Sequence, residues 1–279
     1  MCYSKEVSLI AALIIFAFCG YAYYKYVYKP NHTKKANPNL KHLKPFFTNV
    51  IFGFLCIGGH QLSEFISIAT GNEVIYKIGL IISISAMYFF MKSLQELTHY
   101  SFYGVFFIPI IILVATHIFL SPVIFQDYKF WVRGELNLIW STIWITLFFY
   151  WNLCVFYLIL KSRKLKKKAL ELYPLETLDI SFLLTILYAG VLIYLDNSSI
   201  NVIMDTPSIW CTFFVVQVLF LPHMFKNITK HYKIKVKEPM HHVSLKVQIV
   251  LVLLSLLILV LFYTLVPYFS DIIVKFVFR

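Results

Sequence analysis

Eight long apolar stretches, joined by connections that alternate between strongly basic and not, constrain this chain more than any other feature of it. A helix that crosses a bilayer needs about 20 apolar residues, because the hydrocarbon is roughly 30 Å thick and a helix rises about 1.5 Å per residue. Stretches of that kind lie near 7–28, 46–69, 74–94, 102–125, 136–160, 177–196, 202–224 and 245–268. They consume most of the sequence, and no connection is long enough to fold as a soluble domain. The expectation is one integral membrane domain over 1–279. With 60% hydrophobic and 14% charged residues, a soluble fold of this size could not hide its apolar surface. A β-barrel would show alternating segments of about ten residues. The run Ile249–Phe262 is apolar on every side instead, which selects helices. The fold class is therefore all-α, a polytopic bundle of eight transmembrane helices. Seven form its core, and the aliphatic eighth lies at the periphery facing lipid.

Charge placement orients the bundle. Lys25, Lys29, Lys34, Lys35, Lys41 and Lys44 follow the first span. Lys92 follows the third, the Lys161–Lys168 cluster follows the fifth, and Lys226 to Lys246 surround the connection from the seventh to the eighth. These alternate connections hold 19 of the basic residues, against 6 on the opposite side. That is the positive-inside pattern, and it puts both termini outside the cytoplasm. The net charge of +12 thus reads as topology signals lying on an anionic leaflet, not as a nucleic-acid surface. The basic loops would also be where a separate cytoplasmic signalling partner docks. The first span lacks a basic n-region and an A-x-A-type cleavage site, so it is expected to be retained as a helix. Cys19, Cys56, Cys154 and Cys211 fall within spans, where a thiol is by default a small apolar group. The aromatic content is expected to form interfacial belts, with Tyr21, Tyr23, Tyr24, Tyr26 and Tyr28 as the inner belt of the first helix.

Polar groups are costly in hydrocarbon, so their positions are the best pointer to function. The second span reads Gly58-Gly59-His60-Gln61-Leu62-Ser63-Glu64. Gln61 and Glu64 are three apart and His60 and Glu64 four apart, so the three are neighbours on one helix face. At the same outer depth the fourth span carries Thr116 and His117. The fifth carries Asn137, Ser141 and Thr142, and the seventh begins at Asp205. These groups suggest an outward-opening polar cavity, with Gly58 and Gly59 permitting close helix approach beside it. Pro109 would kink the fourth helix. The plainer alternative is that Glu64 glues neighbouring helices and that His117 is a satisfied core histidine.

The N-terminus Met1-Cys2-Tyr3-Ser4 and the pair Gln61 and Glu64 resemble a family of bacterial multi-helix membrane proteins. Its chains begin Met-Cys-aromatic-Ser, and its second helix carries Gln-x-x-Glu. Members often place Gln before the motif's Gln, where this chain has His60. The resemblance implies a bacterial inner (plasma) membrane location and makes Cys2 and Ser4 candidate site residues. Antiparallel neighbours would bring them level with Gln61 and Glu64. Their alternative role is to cap the first helix.

The ligand-binding candidates are therefore Cys2, Ser4, His60, Gln61, Glu64, His117, Asn137, Ser141 and Asp205. The favoured function is binding or sensing of a small ligand through the outer cavity, and whether the protein is an enzyme stays open. A membrane-embedded metal hydrolase is the alternative, with His60, Glu64 and His117 as ligands of a zinc ion and an open position for water. A transporter ranks third, because no internal repeat is evident.

Overall fold

A computed structural model describes residues 5–32, 38–102, 107–120, 124–126, 129–131, 135–164, 209–231, 241–258 and 260–261. The sixth stretch, 177–196, lies outside the described residues. Helix α1 (Lys5–Tyr23) continues through a π-helical turn, Tyr24–Tyr28, into Lys29–His32. The Lys29 N–H reaches back to the Tyr24 carbonyl across that wider turn. Helix α2 spans Pro38–Thr70 and α3 spans Glu73–Thr98. After strand β1 (Tyr100–Ser101) come α4 (Phe107–Leu120), the antiparallel strands β2 (Ile124–Gln126) and β3 (Lys129–Trp131), and α5 (Glu135–Lys164). Helix α6 covers Ile209–His231, strand β4 His241–His242, and α7 Leu245–Ile258.

Among the described residues, three helical stretches are long and apolar enough to cross a membrane: Lys5–Tyr28, Leu40–Thr70 and Glu73–Thr98. Ile110–Leu120, Phe149–Lys161 and Leu245–Ile258 are shorter apolar helices. Large apolar side chains such as Leu13, Ile112, Leu113, Leu120, Leu253 and Leu257 stand exposed, as they would be against lipid. On α7 the buried residues form one narrow stripe, Gln248, Leu251 and Ser255, spaced for a single helix face. Val247 also packs against the core, and most of the other residues of that helix are exposed.

The helix ends follow local chemistry. Gly71 closes α2 in the left-handed region at φ 68°, and the Asn72 N–H returns to the Ser67 carbonyl at 3.2 Å. This is a Schellman closure, which needs a residue free to adopt positive φ. Asn72 then caps α3, its side chain accepting from Val74 N at 2.9 Å and Ile75 N at 3.4 Å. Two residues thus turn one helix back along the other. Asn72→Ala should cost about 1 kcal/mol, read as a lower unfolding midpoint of the purified protein.

Side-chain contacts fix how the first three helices run. Between α1 and α2 they step from Ser8 with Glu64, through Ile15 and Phe16 with Gly58 and Cys19 with Ile51, to Tyr26 with Phe47. Between α2 and α3 they step from Ser63 with Gly79, through Gly59 with Ile82, to Gly53 with Phe90. Both pairs are antiparallel. Helix α6 runs in the same sense as α1: Val215 packs on Ala11, and Phe225 and Pro222 meet Tyr26.

One end of the bundle is tied together by long-range contacts. The Tyr26 hydroxyl donates to the Pro222 carbonyl at 2.8 Å, within a cluster of Tyr26, Phe46, Phe47 and Phe225. Strand β1 pairs in parallel with β4, Tyr100 opposite His241. The Lys161 ammonium lies 4.5 Å from the centre of the Tyr100 ring. The ends of α1, α3, α5 and α6, and the start of α7, therefore share one face.

Several expectations change. The described helix of the fourth stretch is Phe107–Leu120, and at the end of that stretch Ile124–Gln126 pairs as a strand with Lys129–Trp131. Pro109 falls in the first turn of α4, where a missing N–H costs no bond, so it is not a kink within the helix. Tyr26 is 5% exposed and belongs to the core, whereas Tyr21, Tyr23, Tyr24 and Tyr28 are exposed as a belt would be. Lys41, Lys44, Lys226 and Lys230 sit on helices α2 and α6, which extend beyond their apolar stretches.

Candidate functional site

Helix α2 places Gln61 and Glu64 in the interior, at 4% and 3% exposure. Buried carboxylates in an apolar helix are uncommon, because a charge there needs a partner. Ser8 of α1, fully buried, supplies one: its Oγ donates to Glu64 Oε2 at 3.3 Å. Tyr76 of α3 is also buried, and it lies close enough to Glu64 for the two to interact electrostatically. The carboxylate thus stands where three helices meet.

The backbone around it is drawn close. A Cβ on Gly79 would lie 2.8 Å from Ser63 Cβ and 3.3 Å from His60 Nδ1, so only glycine lets α3 approach α2 here. His60 therefore packs against the Gly79 backbone, and its Nδ1 is shielded from solvent. The hydroxyls of Ser63 and Ser67 are turned inward along α2, donating to the Gly59 and Glu64 carbonyls at 2.8 Å each. Gly58, expected to permit close approach, does this towards α1. Gly59 meets Ile82 at an ordinary 3.4 Å.

One residue beyond Tyr76, Lys77 is 7% exposed and reaches the end of α4. Its Nζ donates to the Phe119 carbonyl at 3.3 Å and lies 3.8 Å from Glu73 Oε1. A cation at a helix C-terminus answers both the open carbonyls and the negative end of the dipole. The charge pattern alone counts Lys77 among the outer-side basic residues. In the structure it is a buried brace between α3 and α4.

His60, Gln61 and Glu64 are thus gathered on α2, with Glu64 joined to α1 and α3. His117 lies in the last turn of α4, partly buried, with its Nε2 shielded. Among the described residues no three His, Cys, Asp or Glu side chains stand together as a metal site, so His60, Glu64 and His117 do not form a ligand triad. Asn137 and Ser141 lie in the first turns of α5, their side chains outside the described part. Cys2, Ser4 and Asp205 lie outside the described residues. Ser8, Tyr76 and Lys77 are site residues that the sequence reading does not single out. Ser8 lies four residues after Ser4 in the sequence, and antiparallel depth matching applied to every hydroxyl of the first span would find it.

No family model, no curated protein and no solved structure matches the chain.

Proposed function

We propose that the protein is a polytopic protein of the bacterial inner membrane that binds a small polar ligand from the outer side, at a site centred on Glu64. In this reading the chain crosses the bilayer eight times, with both termini outside and the basic connections in the cytoplasm. The Tyr26 end faces inward and the Glu64 end outward. The observation that carries the reading is the meeting of Ser8, Glu64 and Tyr76 from three helices at one depth in an apolar bundle. A buried carboxylate costs stability, and function is the usual reason a membrane helix keeps one. Ligand occupancy would be sensed as a change in helix contacts and passed to a separate partner at the basic inner loops.

The test uses protein reconstituted in sealed vesicles, with small amines, amino acids and carboxylic acids added from either side. At least one of these compounds should raise the unfolding midpoint when added outside, by an amount equivalent to about 2.7 kcal/mol at a concentration 100 times its Kd. Glu64→Gln should abolish the shift. A panel in which no compound stabilises the wild type, or in which the same compound stabilises Glu64→Gln equally, overturns the reading.

A further inference from the structure

The geometry at the Tyr26 end points to a binding site for the headgroup of an anionic phospholipid of the inner leaflet, on the seam between α1 and α6, with the Lys25 and Lys226 ammoniums as its cationic arms. This goes beyond the ligand-binding reading and shares with it only the placing of the Tyr26 end at the cytoplasmic face. Tyr26 bridges the seam: its hydroxyl donates to the Pro222 carbonyl at 2.8 Å, and its ring meets that of Phe225. Lys25 stands over this bridge from the α1 side, its Nζ 5.4 Å from the centre of the Tyr26 ring. A helical carbonyl points along the axis towards the residue four ahead. The bond at the Pro222 carbonyl therefore brings Tyr26 against the turn of α6 that carries Lys226. Both lysines are exposed, and they rise from neighbouring helices beside one buried ring.

Lys25 is already held in place. Its Nζ donates to the Tyr21 hydroxyl at 2.9 Å and lies 5.2 Å from the centre of that ring, so less rotamer freedom is left to lose on binding. The ammonium has further N–H donors and the Tyr21 hydroxyl keeps its own proton, so phosphate oxygens can accept from both. No carboxylate stands within four residues of Lys25 or of Lys226 in the sequence, and among the described residues neither lysine takes part in an ion pair. Lys92, at the same end, differs: Glu96 follows it by one turn of α3.

The surface leading up to the lysines selects a lipid over an acidic segment of a soluble protein. Along α6 the exposed residues pass from Leu219 and Phe220 to Lys226 and Lys230. Along α1 they pass from Ile10 and Leu13 to Tyr21, Tyr24 and Lys25. Exposed tyrosines belong at headgroup level, and lysine stems run along apolar surface to deliver their charge there. A phospholipid lays its acyl chains on the first part and its phosphate on the second, as basic sites between spanning helices allow. A soluble acidic segment would meet only the second.

The experiment follows thermal unfolding of the full chain, freed of lipid in a neutral detergent, as phosphatidylglycerol is added to the micelles. Phosphatidylcholine with the same acyl chains, soluble glycerol phosphate and a polyglutamate peptide are the comparison probes. Phosphatidylglycerol should raise the midpoint by several degrees and saturate, and the other three should not. Lys25→Gln and Lys226→Gln should each weaken the phosphatidylglycerol dependence about fivefold, and the two together about 25-fold. Lys92→Gln should leave it unchanged, which separates a site from a general loss of positive charge. Glu64→Gln should also leave it unchanged, so the lipid site and the ligand-binding reading fail separately. Equal shifts from the two lipids overturn the inference, as does a phosphatidylglycerol response that survives the double variant, falls as far in Lys92→Gln, or is lost in Glu64→Gln. Glycerol phosphate matching the lipid would mean a site for soluble anions, and polyglutamate acting through the same lysines while phosphatidylglycerol stays inert would mean a protein-docking surface; either result overturns it.

Discussion

Replacing Gly79 with leucine should be the most damaging single change in the described part of the chain, lowering stability by about 3 kcal/mol. The side chain would have to occupy space already held by Ser63 Cβ and the His60 backbone, at 2.8 and 3.5 Å from its first carbon. Neither neighbour is the free end of a flexible side chain, so the helices themselves must part. Gly79→Ala meets the same obstacle with less bulk and recovers about 1 kcal/mol of helix propensity, so it should be milder. Gly59→Ala is the control: its added carbon would make ordinary contact with Ile82, and its effect should be near zero or slightly stabilising. Unfolding midpoints in mixed micelles would place Gly79→Leu far below Gly79→Ala, with Gly59→Ala level with the wild type. Equal effects at the two glycines would mean that α2 and α3 do not meet through Gly79.

The second large effect is expected at the opposite end. Tyr26→Ala should cost about 3 kcal/mol, because it empties the space against the Phe47–Phe225 pair, whose ring centroids lie 5.6 and 5.4 Å from that of Tyr26. Lipid cannot refill so enclosed a space, and helix association in a bilayer depends on packing of this kind. Tyr26→Phe keeps the ring and loses only the bond to the Pro222 carbonyl, at a cost of about 1 kcal/mol. The same measurement that ranks the glycine variants distinguishes these two. If Phe and Ala substitutions cost the same, the hydroxyl and not the aromatic packing holds α1 to α6.

Much of this arrangement is legible in the residues, and the rest is hidden for physical reasons. Hydropathy places the first three helices well, because a long all-round apolar run has few alternatives to a spanning helix. It fails at Ile124 and Phe125, which it adds to the end of the fourth stretch and which pair as a strand with Phe130 and Trp131. Their β-branched and aromatic character is the available signal, and short apolar runs do not separate strand from helix by periodicity. Glu64 and Gln61 stand out because charge and amide are rare in such a setting. Ser8 does not, because a serine near a helix start reads equally well as a cap, and its role depends on what an antiparallel neighbour brings to its depth. Lys77 reads as solvated because lysine near a span end usually reaches water. Here it meets instead a carbonyl at the end of the following helix, that of Phe119. Tyr26 reads as one of five belt tyrosines, and only the approach of α6 takes it inside.

The two-residue parallel pairing of Tyr100 and Ser101 with His241 and His242 sets an order of events during synthesis. Helices α1, α2 and α3 hold their shared contacts within the first third of the chain and are free to associate as they leave the translocation machinery. Tyr100 has to wait until synthesis reaches His241 before its partner exists. A nascent chain stalled before His241 would already contain the Glu64 junction while its opposite face stayed unlatched, and that bridge could close only as α7 followed.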